Sequence, residues 1–474
     1  MSNKFAKDLS CVVIGNVFVL ISSILTGLVV PKIMGVTNYG YYQIYTLYLT
    51  YVALLHFGFV DGVLLRHAGE KFDELDKLLF RSNTRSFALL ELFLSSVFII
   101  FSFIIFKGIY RFIGISLGIE TFTTNMTSYY QYISQSTMRF KEWSSRKIIQ
   151  SSLKIIVTCV LASLYFTGNI SYISAELYLL CILIIDIALL IWYMWTYSDI
   201  TFGTCYKFDS TRIFVYFKAG ITLTLAYEIA NLVFSLDRQF VSILFNADEY
   251  GIYAFAYRLL SMVTTVINAV SVVLFPNLKR KSKVAGERIM YSMSDNIAMI
   301  AISVFAAHIG YYPLMIFIKK LLPEYINSLM YLRIIFPSIA ITCCISVIIF
   351  NYYKVLNKNH IYCFISLIIL GLSAFLNVIA YYIWRIPEAI SGASIVTLFI
   401  WYLALQYIFI KEYKIKWKRN FIYILLITGL FYFSNFAFNS GLCAALFYSV
   451  LYISITIVFY KKLLKNNLGK LYRE

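Results

Sequence analysis

Apolar residues run along this chain in fourteen stretches of 18–27 residues, separated by short segments where Lys, Arg, Gly, Pro and Asn collect. A bilayer's hydrocarbon core is crossed by a helix of about 20 apolar residues. Inside lipid the backbone amides of such a stretch must pair internally, which makes it a helix. The pattern predicts spans over 9–30, 38–60, 86–106, 113–136, 148–167, 174–197, 214–236, 250–275, 292–318, 328–352, 361–384, 388–410, 420–437 and 442–460. The fourth is interrupted by Glu120, Thr121, Thr123, Thr124 and Asn125. The fold class that follows is all-α, a polytopic membrane protein.

Composition agrees: 61% of residues are hydrophobic and the mean hydropathy is +0.77. The basic segment Met1–Lys7 is not followed by a small-residue cleavage pattern near Val30, so the first span is not read as a cleavable signal. Lys and Arg mark the cytoplasmic side. With the N-terminus inside, 31 of the 41 fall on inner segments and 7 on outer loops, while Lys154, Arg258 and Arg333 lie within spans. This predicts cytoplasmic termini and an even number of spans. The net charge of +18 is then mostly topological. It is spread over eight short segments, a poor design for nucleic acid. The cysteines lie in spans or an inner loop without metal-ligand spacing, which argues against structural disulfides.

The stretch Val30–Val52 aligns with Val241–Val263 at a constant offset of 211, with identities at Val30/Val241, Tyr39/Tyr250, Gly40/Gly251, Tyr42/Tyr253, Leu49/Leu260 and Val52/Val263. The offset lays span 1 on span 7 and span 2 on span 8. A six-span offset preserves orientation, so the halves are predicted to be parallel repeats. In each copy Tyr-Gly-x-Tyr opens an inward-running helix; glycine suits a tight outer turn there, and tyrosine the membrane interface.

Several motifs together resemble the oligosaccharide flippases of O-antigen and capsule assembly, in the polysaccharide-transporter branch of the superfamily that includes multidrug exporters. They are Val30-Pro31-Lys32-Ile33-Met34-Gly35 with Tyr39-Gly40-Tyr41-Tyr42, Phe57-Gly58 with Asp61-Gly62 and Leu65-Arg66, and Arg139-Phe140-Lys141-Glu142. Asp237-Arg238, Phe275-Pro276, Leu332-Arg333-Ile334 with Pro337, and Asn351-Tyr352-Tyr353-Lys354 complete the set. The resemblance implies two six-helix lobes around a central cavity, residues 1–200 and 201–410, with spans 1, 2, 7 and 8 in the lining. Residues 411–474 would add two helices and a cytoplasmic tail, fitting a role beside a lipid tail. It also implies movement of an undecaprenyl-diphosphate-linked oligosaccharide across a bacterial inner membrane. The partners implied are the lipid bilayer, a polysaccharide polymerase and a chain-length regulator, with no cofactor.

Charged groups within spans normally face the bundle or a wet cavity. Glu228 in span 7 and Arg258 in span 8 lie at similar depth, and Thr224, Glu228, Asn231 and Ser235 form a helical polar stripe. The functional reading has Arg258 receiving the diphosphate when Glu228 releases it; the structural reading is a clamp between two helices. Arg333 and Arg66 are further substrate-binding candidates, against snorkelling and plain anchoring. Asp186, flanked by Ile184, Ile185, Ile187 and Ala188, is read as a mid-membrane carboxylate without a neighbouring base. It is an ion-coupling candidate together with Glu228, and Glu91, Glu120 and His308 are weaker ones. Tyr41, Tyr45 and Tyr48 form a stripe that could contact sugars, although interfacial anchoring is a commoner use.

No G-x-x-x-x-G-K-[ST] loop occurs and every loop is short, so transport, if that is the function, is secondary. A multidrug exporter of the same superfamily is the nearest alternative. A membrane polysaccharide polymerase or glycosyltransferase is a third, disfavoured by the short outer loops.

Overall fold

A computed structural model describes the backbone of residues 2–207, 210–285, 290–438 and 440–471, with side chains except at 2–13, 210, 212, 264–273, 275–277, 280–285, 462, 464 and 466–471. All fourteen predicted spans are helical. The described residues contain no strand.

In order, the helices are α1 (Ser2–Val52), α2 (Phe59–His67), α3 (Lys77–Ile105), α4 (Gly108–Ser136), α5 (Phe140–Phe166), α6 (Ala175–Thr196), the short α7 (Ser198–Thr201), α8 (Ser210–Leu244) and α9 (Ala247–Ala285). There follow α10 (Met293–Ala307), α11 (Tyr311–Leu321), α12 (Ser328–Ile335), α13 (Ser338–Cys343), α14 (Phe350–Val355), α15 (Asn359–Trp384), α16 (Pro387–Tyr413), α17 (Lys418–Ala437) and α18 (Gly441–Leu471). By length and composition, 11 described helical stretches can cross a membrane. They reach fourteen when the first is divided at Gly35 and α4 and α9 are added. The inner loop predicted between spans 8 and 9 falls partly on residues 286–289, outside the described residues.

Spans 1 and 2 are one helix broken at Gly35, whose φ of 69° and ψ of 175° leave helical space. That backbone suits glycine. The loop before α6 docks on the break: the amide of Ile173 donates to the Ile33 carbonyl at 2.8 Å, and that of Ala175 to Asn38 Oδ1 at 3.2 Å. Span 2 has a second discontinuity. A 3-10 turn covers Ala53–His56, and Phe57 (φ 45°) and Gly58 (φ 83°) are left-handed before α2 begins. Spans 9 and 10 are likewise interrupted, the latter by a π-helical segment over Cys344–Ile349.

The molecule divides into two compact units, Met1–Asn231 with Phe245–Gly251, and Leu232–Leu244 with Ile252–Glu474. In the first, α3 shows the polarity expected in lipid. It exposes Leu89, Phe93, Val97, Ile100 and Ile104 and buries Asn83, Thr84, Glu91, Ser95 and Ser102. With lipid no less apolar than leucine, close packing and internal hydrogen bonds hold such helices together. Ser95 Oγ donates to the Gly118 carbonyl at 2.6 Å. Cβ atoms on Gly114 and Gly118 would lie 2.5 Å from Ser102 Oγ and Ile99 Cγ1, so α3 and α4 touch where neither glycine has a side chain. The polar residues that interrupt span 4 are turned inward: Glu120, Thr121 and Asn125 are fully buried.

The repeat glycines have a different job from the expected outer turn. A Cβ on Gly40 would lie 2.0 Å from the Ala247 carbonyl oxygen, and one on Gly251 would lie 2.6 Å from that of Val36. Val36 and Ala247 are separated by the same offset of 211, so the contact is reciprocal, as a local twofold axis would make it. Tyr39, Tyr250 and Tyr253 are buried in packing, not interfacial anchors. In the second unit, His308 is a packing residue. Its Nδ1 lies 2.7 Å from the Val304 carbonyl, and its ring sits among Phe305, Phe336 and Phe431.

Candidate functional site

Three polar groups occupy the membrane-embedded interior of the first unit. The largest joins α1, α4, α5 and α6. Asp186 on α6 pairs with Lys154 Nζ on α5 at 3.1 Å and accepts from Gln150 Nε2 at 2.7 Å. This corrects the reading of Asp186 as a carboxylate without a base: a lysine of opposite charge on the preceding helix neutralises it. Glu120 on α4 accepts from Tyr45 Oη at 3.1 Å and Thr124 Oγ1 at 2.8 Å, within electrostatic reach of Asp186 and Lys154.

Tyr45 is therefore corrected as a sugar contact. It is buried with its hydroxyl committed to Glu120, and it packs with Ile113, Leu117 and Leu179. Tyr41 and Tyr48 are half-buried against the same cluster, Tyr41 edge-on to Tyr110 and Tyr48 to Tyr51. The tyrosine stripe is in large part a helix-packing face.

The second group lies between α2 and α8. Thr224 Oγ1 donates to Asp61, while Gly58, Gly62 and Gly220 let the two backbones meet: a Cβ on Gly220 would lie 1.9 Å from the Gly58 carbonyl oxygen. One turn further along α8, Glu228 is 7% exposed and accepts from Asn231 Nδ2 at 3.3 Å, with Asp61 as a neighbouring negative charge. Arg66, in the last turn of α2, is exposed and lies 5.6 Å from the Tyr216 ring centroid. The third group is Glu91 with Asn125, where the amide nitrogen donates to Glu91 Oε2 at 2.9 Å and to the Val52 carbonyl at 3.2 Å.

On α5, near its N-terminus, Glu142 bridges Arg139 and Arg146. Arg146 is buried against Trp192, Tyr193 and Tyr197, its guanidinium 4.4 Å from the Tyr193 centroid. Cation–π contacts of this kind favour a desolvated arginine.

In the second unit Asp237 on α8 is buried and accepts from Tyr253 Oη at 2.9 Å, from Tyr257 and from the Arg238 amide at 2.8 Å. Tyr253 in turn accepts from Ser391 Oγ at 3.2 Å. A cavity of about 140 Å³ opens beside this group, lined by Asp237, Arg238, Tyr257, Ser261, Ser338 and Thr342 among apolar side chains. Arg258 is half-buried on α9, one residue past Tyr257. Arg333 on α12 is held against α17, with Nη1 3.5 Å from the Asn435 carbonyl and its guanidinium 4.5 Å from the Phe436 centroid.

The structure thus gathers Glu228 and Asn231 in one unit and places Arg258 and Arg333 in the other. Sequence reading missed the Lys154–Asp186 pair, although two lone ions of opposite sign in adjacent spans were its signal. Asp61 and Asp237 were visible as motif residues without a role. No group of three or more His, Cys, Asp or Glu among the described residues has the geometry of a metal site.

No protein-family model matches the chain, and no curated protein matches it. Solved structures do. The lipid II flippase MurJ, in an inward closed conformation, superposes with a TM-score of 0.71 over 97% of this chain and 100% of that one, at 14% identity. A multidrug resistance MATE family transporter of the MOP superfamily, inward-facing, gives 0.54 over 88% and 95%, at 11% identity. A mutant of the Vibrio cholerae MATE transporter VcmN gives 0.53 over 86% and 98%, at 11% identity. At these identities what is shared is the fold.

Proposed function

We propose that this protein is a secondary transporter of the MOP superfamily that flips undecaprenyl-diphosphate-linked oligosaccharide repeat units from the cytoplasmic to the periplasmic leaflet for surface-polysaccharide assembly. The observation that carries the reading is the likeness to a lipid II flippase along the whole of both chains, against weaker and shorter likeness to drug transporters. A lipid-linked cargo needs a path for a polar head beside lipid. The two helices α17 and α18, which follow the twelve spans of the predicted duplication, fit a role beside the lipid tail.

In this reading residues 1–200 and 201–410 are the two lobes of an alternating-access machine in a bacterial inner membrane, with both termini cytoplasmic. The parallel repeat is supported by the reciprocal Gly40–Ala247 and Gly251–Val36 approach. Arg258 receives the diphosphate, with Arg333 and Arg66 along the path, and Glu228 with Asn231 offers the competing carboxylate. Tyr41 and Tyr48 keep a half-exposed ring each for sugar. An ion gradient drives the cycle through buried carboxylates, Asp186 and Glu228 among them. A polymerase and a chain-length regulator would take up the product.

The test is deletion of the gene from its host. Loss of surface polysaccharide with unchanged drug susceptibility supports a flippase. Intact polysaccharide with raised susceptibility to cationic drugs supports the exporter reading instead.

A further inference from the structure

The buried carboxylates of the first unit differ in what neutralises them. Asp186 has Lys154. Glu120 has two hydroxyl donors, with Lys154 in electrostatic reach. Glu91 is fully buried and accepts one hydrogen bond, from Asn125 to Oε2. Its Oε1 has no partner among the described residues, and neither does Asn125 Oδ1 beside it. Reversing the Asn125 amide does not help, because Oδ1 would then face the Val52 carbonyl and Glu91 Oε2, both acceptors.

Among the described residues, no positive charge packed against α3 lies beside Glu91. From α2, Phe59 meets Phe87 and His67 meets Phe80, the latter 11 residues before Glu91, while Arg66 is exposed and Asp61 is acidic. Arg111 lies over Phe103, 12 residues after Glu91. The 3-10 turn brings His56, whose Nδ1 accepts from the Gly58 amide and is therefore unprotonated. From α4 come Glu120, bonded as above, Tyr129 bonded to Thr84, and Tyr130 bonded to Thr201, while Arg111 is 14 residues from Asn125 near the start of that helix. Asp199 of α7 is acidic. On α3 itself Arg85 is exposed and six residues away, about 9 Å along the axis. An ionised carboxylate with one amide donor in a buried interior is avoided by holding the group neutral. A proton on Oε1 does this and turns one orphan acceptor into a donor.

We propose that Glu91 is a proton-exchange site of the transport cycle, carried on Oε1 and coupled through Asn125 to the break in span 2 at residues 53–58. The proposal rests on the ion-driven reading of transport above. Asn125 Nδ2 bridges Glu91 Oε2 and the carbonyl of Val52, the last residue of α1. Beyond Val52 the backbone runs through the 3-10 turn and two left-handed residues. A non-helical segment inside a membrane span can bend without breaking a regular ladder. When the segment opens, water takes the proton from Oε1 and leaves a carboxylate. The carboxylate then binds the Asn125 amide more strongly than the neutral acid did and competes with Val52 for it. Proton loss therefore favours release of α1 from α4, and proton gain restores the closed arrangement.

Difference infrared spectroscopy of the full chain in nanodiscs, wild type minus Glu91→Gln, tests the site without requiring transport. Glutamine keeps an oxygen acceptor for Asn125. The expected result is a protonated-carboxyl carbonyl band that is absent from Glu91→Gln and disappears as the buffer is made alkaline. A band that never titrates makes Glu91 a fixed neutral packing group. A band abolished by sodium at constant pH makes the place a cation site. Either outcome overturns the proposal. In proteoliposomes that flip a lipid-linked oligosaccharide, Glu91→Gln should flip without responding to an imposed pH gradient, and a wild-type response would also overturn it. A titrating band with no flipping by the wild type would leave the proton site standing and remove the functional reading instead.

Discussion

Lys154 and Asp186 show what one dimension hides. Each is a lone ion in an apolar run, 32 residues apart, and which faces of α5 and α6 meet is a matter of helix register that hydropathy does not record. Their side chains are 27% and 13% exposed, between a surface pair and a dry one. Removing either partner alone should cost about 2 kcal/mol, below the roughly 3–5 kcal/mol of breaking a fully buried pair. The Lys154→Met plus Asp186→Leu double variant should recover most of that, read as thermal stability in detergent. A double variant as unstable as the worse single would mean the pair does more than neutralise itself. Arg258 poses the opposite question, since its proposed partner is the substrate. Arg258→Ala should abolish polysaccharide display by a folded, inserted protein, and Arg258→Lys should retain part of it because a point charge still attracts phosphate without the bidentate fork. Glu228→Gln should be milder than Arg258→Ala. Full display by Arg258→Ala would remove this residue from the mechanism.

Elements were the most legible scale, and the exceptions have a common cause. Span 4 looked doubtful because Glu120, Thr121 and Asn125 lower its hydropathy, yet these residues face the unit's interior and the helix runs unbroken from Gly108 to Ser136. Hydropathy averages over a helix's faces, whereas burial sorts them. The repeat was visible at an offset of 211, but the purpose of its glycines was not, because a close approach between α1 and α9 leaves no mark in either sequence alone. Gly40→Ala and Gly251→Ala should each destabilise, by about 1–3 kcal/mol, as overpacked contacts do. Gly371→Ala in α15, where an added Cβ meets nothing within 4 Å, should leave stability unchanged or slightly raised. Thermal unfolding of the three variants in one detergent is the comparison. Equal behaviour would mean the α1–α9 contact is not tight.

At the scale of the whole molecule, the distribution of Lys and Arg gives an orientation that labelling can check. On a cysteine-free background Asn169→Cys should react with an impermeant thiol reagent applied outside intact cells, and Lys414→Cys should not; the reverse pattern would invert the topology. The proposed substrate path was the least legible feature: by depth Arg258 matches Glu228 while Arg333 and Arg66 sit nearer the ends of their spans, and only the fold shows Arg333 lying on Phe436. The central claim, that this fold carries a lipid-linked sugar across the bilayer, is tested most directly by where that lipid accumulates. In spheroplasts depleted of the protein, undecaprenyl-diphosphate oligosaccharide should be shielded from an impermeant glycan-modifying reagent that reaches it in control cells, and restoring the protein should restore access. Equal access with and without the protein would contradict the account.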